Sequence, residues 1–209
     1  REGGFRGLWV SGQGVREGVF YEEFLPAPHL LSDVRGFSVR NLFARYPQDF
    51  AHTARVRHLC RQLFRALGPL HGYGPEDERL LDEDHHKHGE YLVMGAAIPG
   101  LTHREQVLLG LLVRYHRKGE PKVGAYKGVL EDGDPRRLLR LAAMLRLSEY
   151  LERSRAGRVE ALEVTLDDRH VRLGLRADSE PWVEIAEASK QGKLFKQAFG
   201  RELVVEWAR

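Results

Sequence analysis

Apolar residues recur at helical spacing along most of the chain and at alternate positions near its end. Val56, Leu59, Cys60, Leu63, Phe64 and Leu67 fall on one stripe and predict a long helix over about 48–67. Gly68-Pro69 stops it. A short helix over 38–46 precedes it. Pro75 opens another, through Leu81, and a further one runs through Tyr91, Leu92 and Val93 to Ala97, before Pro99-Gly100. Thr102-His103-Arg104-Glu105 is a capping box. It starts a helix with Leu108, Leu111, Leu112 and Tyr115 on one face. Asp134, with Pro135 behind it, is expected to cap the next helix, which reaches about Arg153. That helix is apolar on more than one face, through Leu138, Leu141, Ala142, Leu145 and Leu147, so it is expected to be central and buried.

After Ala156-Gly157 the period changes to two. Val159 to Leu166 and Val171 to Leu175 read as strands around an Asp167-Asp168-Arg169 turn. A helix over about 181–198 and a strand from Leu203 to Glu206 complete a small α+β unit. At the other end, Leu8-Trp9-Val10 and Gly18-Val19-Phe20-Tyr21 read as strands around a glycine-rich turn. A lone hairpin is marginal in water, so these strands need a sheet that the rest of the chain does not supply.

Composition places the 209 residues among soluble globular chains, with 42% hydrophobic and 30% charged residues. The formal net charge is only +3, but it is unevenly spread. Arg114 to Lys127 and Arg136 to Arg158 are basic, while Pro75 to Asp84 is acidic. A local basic field suits an anionic partner, and a solvated helix face would have the same pattern. The single cysteine, Cys60, has no partner in the chain for a disulfide, so a cytoplasmic setting is expected and Cys60 reads as a core residue. No apolar run approaches the ~20 residues of a membrane span. The start, Arg1-Glu2-Gly3-Gly4, has no Met and no signal-peptide pattern, so the chain reads as a fragment.

Several helices carry an ionisable residue on the inward stripe. His52 lies four residues before Val56; His85 and His88 share a face with Leu92; His116 follows Leu112 by four; Glu149 follows Leu145 by four. Such groups seldom enter a core unless paired, hydrogen-bonded or metal-bound. Imidazoles with a carboxylate suit a transition metal, which would acidify a water for attack on phosphate. Hydrogen-bonded structural histidines are the other reading, and Asp82 to His88 also reads as a solvated loop.

Five segments resemble one family in order along the chain. Val10-Ser11-Gly12-Gln13-Gly14-Val15-Arg16-Glu17-Gly18 resembles the "VSG.G.REG" signature of exopolyphosphatase / guanosine-pentaphosphate phosphohydrolase (Ppx/GppA) proteins. His85-His86-Lys87-His88, Leu112-Val113-Arg114-Tyr115-His116-Arg117-Lys118-Gly119 and Leu145-Arg146-Leu147-Ser148-Glu149 resemble successive helices of the HD-like domain that follows it. Leu194-Phe195 with Phe199-Gly200-Arg201 resembles the end of the terminal domain.

The resemblance implies a mainly α chain in three parts. Residues 1–24 would be a remnant of an actin-like α/β domain, 36–156 an HD-type helical domain, and 157–209 a small α+β unit. The implied activity of the full-length enzyme is Mg²⁺-dependent release of terminal phosphate from inorganic polyphosphate, or conversion of pppGpp to ppGpp. The main catalytic half would precede this chain, and a homodimer is expected. No His-Asp dipeptide occurs here, and only Asp82-Glu83-Asp84 stands where relatives place a His-Asp helix before His85. Either that helix is truly deleted or it is missing from this chain, and the second reading is favoured because deleting a central helix would leave a large cavity.

Three roles stay open. In the first, the helical part guides a polyanion through Arg114, Arg117, Lys118, Lys122, Lys127, Arg136, Arg137 and Arg140. In the second, His52, His85, His88, His116 and Glu149 hold a transition metal in an HD-type phosphohydrolase site. The third is a non-catalytic regulatory or dimerisation module. Nothing in the sequence suggests a nucleic-acid-binding motif.

Overall fold

The computed structural model describes residues 33–43, 49–81, 89–96 and 98–208. The expected strands at 8–21, together with His85 and His88, lie outside them. The described chain is mainly helical, with a small three-stranded sheet near its end.

Helices α1 (Val34–Phe43) and α2 (Phe50–Ala66) come first. Each opens on an aspartate that replaces a missing helical partner: Asp33 Oδ1 accepts the Gly36 N–H, and Asp49 Oδ1 accepts the His52 N–H. The break at Gly68-Pro69 is followed by a single turn, α3 (Gly68–His71), which Gly72 ends in the left-handed conformation. Then come α4 (Pro75–Leu81), α5 (Gly89–Gly95) and α6 (His103–Tyr115). The capping box at Thr102 and Glu105 forms as the sequence indicates. Gly110 lets α5 approach α6 closely, because a Cβ there would stand 2.6 Å from the Met94 methyl. The Gln106 amide donates to the Val93 and Ala96 carbonyls and closes the end of α5.

Helix α7 (Asp134–Leu151) is the spine. Leu138, Leu141, Ala142, Met144, Leu145, Leu147 and Leu151 are all buried, as the wide apolar pattern requires. Asp134 differs from its expected role. Gly133 occupies the capping position, and the Asp134 side chain pairs with arginines instead. It accepts two bonds from Arg104, at 2.8 and 2.7 Å, one from Arg137 and one from the Glu131 N–H. Burial pushes this carboxyl up, but the Arg104 bonds outweigh it and hold it below the usual range.

The sheet runs β1 (Ala161–Leu166), β2 (His170–Arg176) and β3 (Glu202–Ala208) in spatial order. β1 pairs antiparallel with β2, and β3 pairs parallel with it. Between β2 and β3 the expected single helix is two, α8 (Trp182–Ser189) and α9 (Gly192–Phe199). A tightened turn, from the Gln191 N–H to the Ala188 carbonyl, separates them. One contiguous core joins Leu59, Leu63, Leu108 and Leu141 to Val171, Leu173 and Phe195. Cys60 lies buried within it.

Asp134 is fully buried and accepts four hydrogen bonds, so Asp134→Ala removes them, while Arg104 keeps Glu131 and Arg137 keeps Asp77 as ion-pair partners. The variant is expected to lose about 2 kcal/mol of stability in urea unfolding. A loss below about 0.5 kcal/mol would show that these bonds are dispensable.

Candidate functional site: a basic cleft over a buried His-Glu pair

The segment that leaves α6 carries His116, Arg117 and Lys118. It has no helix to hold it, and α7 supplies the anchors. The buried Arg146 guanidinium donates to the Tyr115 carbonyl at 3.0 and 2.6 Å and to the Gly119 carbonyl at 2.7 Å. The Tyr150 hydroxyl donates to the Arg117 carbonyl at 3.1 Å. The carbonyls at and just after the end of α6 are therefore satisfied by two side chains four residues apart on one face of α7.

The same face presents Glu149. Its Oε1 accepts Arg117 Nε at 2.7 Å and lies 2.6 Å from Arg117 Nη2. Its Oε2 lies 2.9 Å from His52 Nε2. An ionised carboxylate only accepts, so Nε2 carries the proton in this contact. His52 Nδ1 is buried with no partner among the described residues. Burial pushes the Glu149 carboxyl up, yet the His52 hydrogen bond and the Arg117 charge prevail and hold it at about 2, from 4.5. His116 is buried beside this pair. Its Nδ1 donates to the Val113 carbonyl at 2.5 Å, and burial pushes its pKa below the usual imidazole value.

Of the five expected metal ligands, then, His52 and Glu149 touch, and Glu149 acts electrostatically on His116. His85 and His88 lie outside the described residues. The described members do not fit a divalent cation. Both Glu149 oxygens are already engaged, one by a guanidinium, and a metal would have to displace that charge. Among the described residues, no group of three or more His, Cys, Asp or Glu could hold a metal ion.

Outward from Arg117 lies an open cleft of about 960 Å³, lined also by Tyr91, Leu92, Arg114, Lys118, Tyr150 and Arg153. This is near the top of the ~300–1,000 Å³ range of ligand sites. Among the described lining residues are four Arg and Lys side chains and one carboxylate, Glu90. Glu90 pairs with Arg114 at 2.9 Å. Lys118 has no ion-pair partner among the described residues, and Arg153 stands over the Tyr150 ring at 5.8 Å.

The eight expected polyanion contacts separate accordingly. Arg114, Arg117 and Lys118 line the cleft. Lys122 pairs with Glu120 at 2.9 Å, and Lys127 and Arg136 are exposed away from the cleft lining. Arg137 sits between Asp77 and Asp134. Arg140 reaches the Ala198 and His71 carbonyls and lies over the Tyr73 and Phe199 rings, so it clamps α9 to the helices. Sequence reasoning missed Arg146, Tyr150 and Arg153. Tyr150 lies four residues after Arg146 and three before Arg153, and Glu149 lies three after Arg146 and four before Arg153; that spacing was the available signal.

A family model described as Ppx/GppA phosphatase, domain III, matches residues 34–192. The chain belongs to the Ppx/GppA phosphatase family. The match spans α1 to the start of α9 and so contains the cleft and the His52–Glu149 pair. It is a phosphatase family, generally metal-dependent. Among the described residues, no helix is long and apolar enough to cross a membrane.

The Glu149 environment has a definite pH signature. Its folded pKa is depressed, so its stabilisation is complete above about pH 4.5 and is lost as pH falls through about 2. A shift of that size corresponds to about 3 kcal/mol at pH 7. Glu149→Gln is expected to be less stable than the parent by that order at pH 7, with the difference shrinking as pH approaches 2. Urea titrations of both chains across this range check it, and an equal difference at both ends would contradict it.

Proposed function

We propose that this part of a Ppx/GppA phosphatase holds the phosphate chain of its substrate, inorganic polyphosphate or pppGpp, while hydrolysis of the terminal phosphate takes place elsewhere in the full-length enzyme. The observation that carries this is the cleft, whose described lining has Arg114, Arg117, Lys118 and Arg153 against one carboxylate, Glu90. Guanidinium and ammonium groups meet phosphate oxygens through charge-assisted bonds. Arginine is suited to bidentate contacts and lysine to a mobile point charge. Tyr91, largely exposed, and Tyr150 line the cleft too, and give it aromatic surface beside the cations.

In this reading the Mg²⁺ that the family resemblance implies serves the hydrolytic half, outside the cleft. An HD-type metal centre in this chain is the weaker reading, because the Glu149 carboxylate is occupied by Arg117. The cleft's own residues bind and orient a polyanion, and no step through a metal is assigned to them.

A cleft that works through charge is salt-sensitive. Titration of the full chain with inorganic polyphosphate is expected to give an affinity that falls steadily as salt rises. Lys118→Glu and Arg153→Glu are each expected to weaken binding about tenfold, as loss of a charge-assisted contact would. Lys127→Glu, away from the cleft lining, is expected to change it less than threefold. Binding that ignores salt, or equal effects at all three positions, would count against the cleft.

A further inference from the structure

Arg117 is held more tightly than a surface arginine needs to be. Its backbone is fixed on both sides, because Arg146 donates to the carbonyls of Tyr115 and Gly119 and the Tyr150 hydroxyl donates to the Arg117 carbonyl. What stays undetermined is the direction of its long side chain. Glu149 settles that by taking the edge formed by Nε and Nη2. Nη1 has no acceptor among the described residues, and about one third of the side chain remains exposed on the cleft. Behind Glu149, His52 occupies the second carboxylate oxygen, so the carboxylate cannot turn without losing a bond. Asp49 in turn caps α2 on the His52 N–H and places the ring at the helix start.

We infer that Glu149, backed by His52, is a positioning residue that orients the Arg117 guanidinium toward the phosphate chain, filling with an arginine the place where a metal cation would otherwise balance the carboxylate. The inference rests on reading the cleft as a polyphosphate site. It adds a division of labour within that site. Arg117 touches phosphate with its outer nitrogens, while Glu149 touches only Arg117. An arginine fixed before binding loses less rotamer freedom on contact than a free one.

The sign of one substitution separates this from a general field effect. Glu149→Gln removes a negative charge near the cleft, and on field strength alone it should tighten the binding of a polyanion. On the positioning account it weakens binding about tenfold, because the neutral amide no longer holds the guanidinium in place. Glu149→Asp keeps the charge but withdraws the carboxylate by one methylene. It is expected to weaken binding severalfold where a field effect predicts no change, and it keeps the test alive if the Gln variant unfolds.

Inorganic polyphosphate is titrated into the full chain carrying Glu149→Gln, Glu149→Asp, Arg117→Gln and the double substitution, with circular dichroism verifying each fold. Arg117→Gln is expected to bind about tenfold more weakly and to lower the log–log salt slope by about one ion. In that background Glu149→Gln is expected to have little further effect, since both act through one contact. Unchanged or tighter binding in Glu149→Asp, or full additivity of the two substitutions, would overturn the positioning role. A parent chain that shows no salt-dependent polyphosphate binding would overturn the reading of the cleft itself, and the positioning role with it.

Discussion

Charges buried along one helix have to be matched, and in this protein the matching ties α2 and α6 to α7. Helix α7 carries Asp134, Arg146 and Glu149 among its leucines and ends on Glu152 as its C-cap, all largely hidden from water. Each draws in a different partner: Arg104 of α6 at one end, the carbonyls after α6 in the middle, His52 and Arg55 of α2 at the other end. Glu152 also accepts the Gly157 N–H, and Arg55 lies so close to Gly157 that a Cβ there would stand 2.3 Å from its guanidinium carbon. The φ of +63° at Gly157 also favours glycine. Unpaired, any of these groups would cost several kcal/mol. Leucine packing supplies the attraction between the helices, and the ionic contacts select one arrangement of them.

That division explains what could be read from the amino-acid order. Helices with a single apolar stripe, such as α2 and α6, were legible from spacing, and so was the capping box at Thr102. Asp134 misled because capping is a local rule. A distant arginine, Arg104, outbid the helix's own N–H groups for the carboxylate. The break between α8 and α9 also escaped, because the apolar pattern runs on across it and only a backbone turn at Ala188 to Gln191 interrupts the helix.

For the site, inward-facing ionisable residues were visible in the sequence, while the identity of their partners was not. His52 and Glu149 are 97 positions apart and meet through the packing of α2 on α7. Arg117 read as a polyanion contact and Glu149 as a metal ligand. Their pairing changes both roles, because the guanidinium provides the charge compensation that a metal would have provided. A set of imidazoles and carboxylates pointing inward is thus compatible with two kinds of centre, and the decisive residue was an arginine outside the ligand pattern. The same arginine connects the buried pair to the cleft, so charge matching in the core also arranges the surface that meets phosphate.

The direct test of this ion-paired centre is the titration of the Glu149 side-chain carboxyl by carbon-13 NMR. A midpoint near 2 is expected in the parent chain, rising toward 4.5 in Arg117→Gln. A midpoint near 4.5 in the parent, unmoved by loss of Arg117, would mean that the arginine does not compensate this carboxylate.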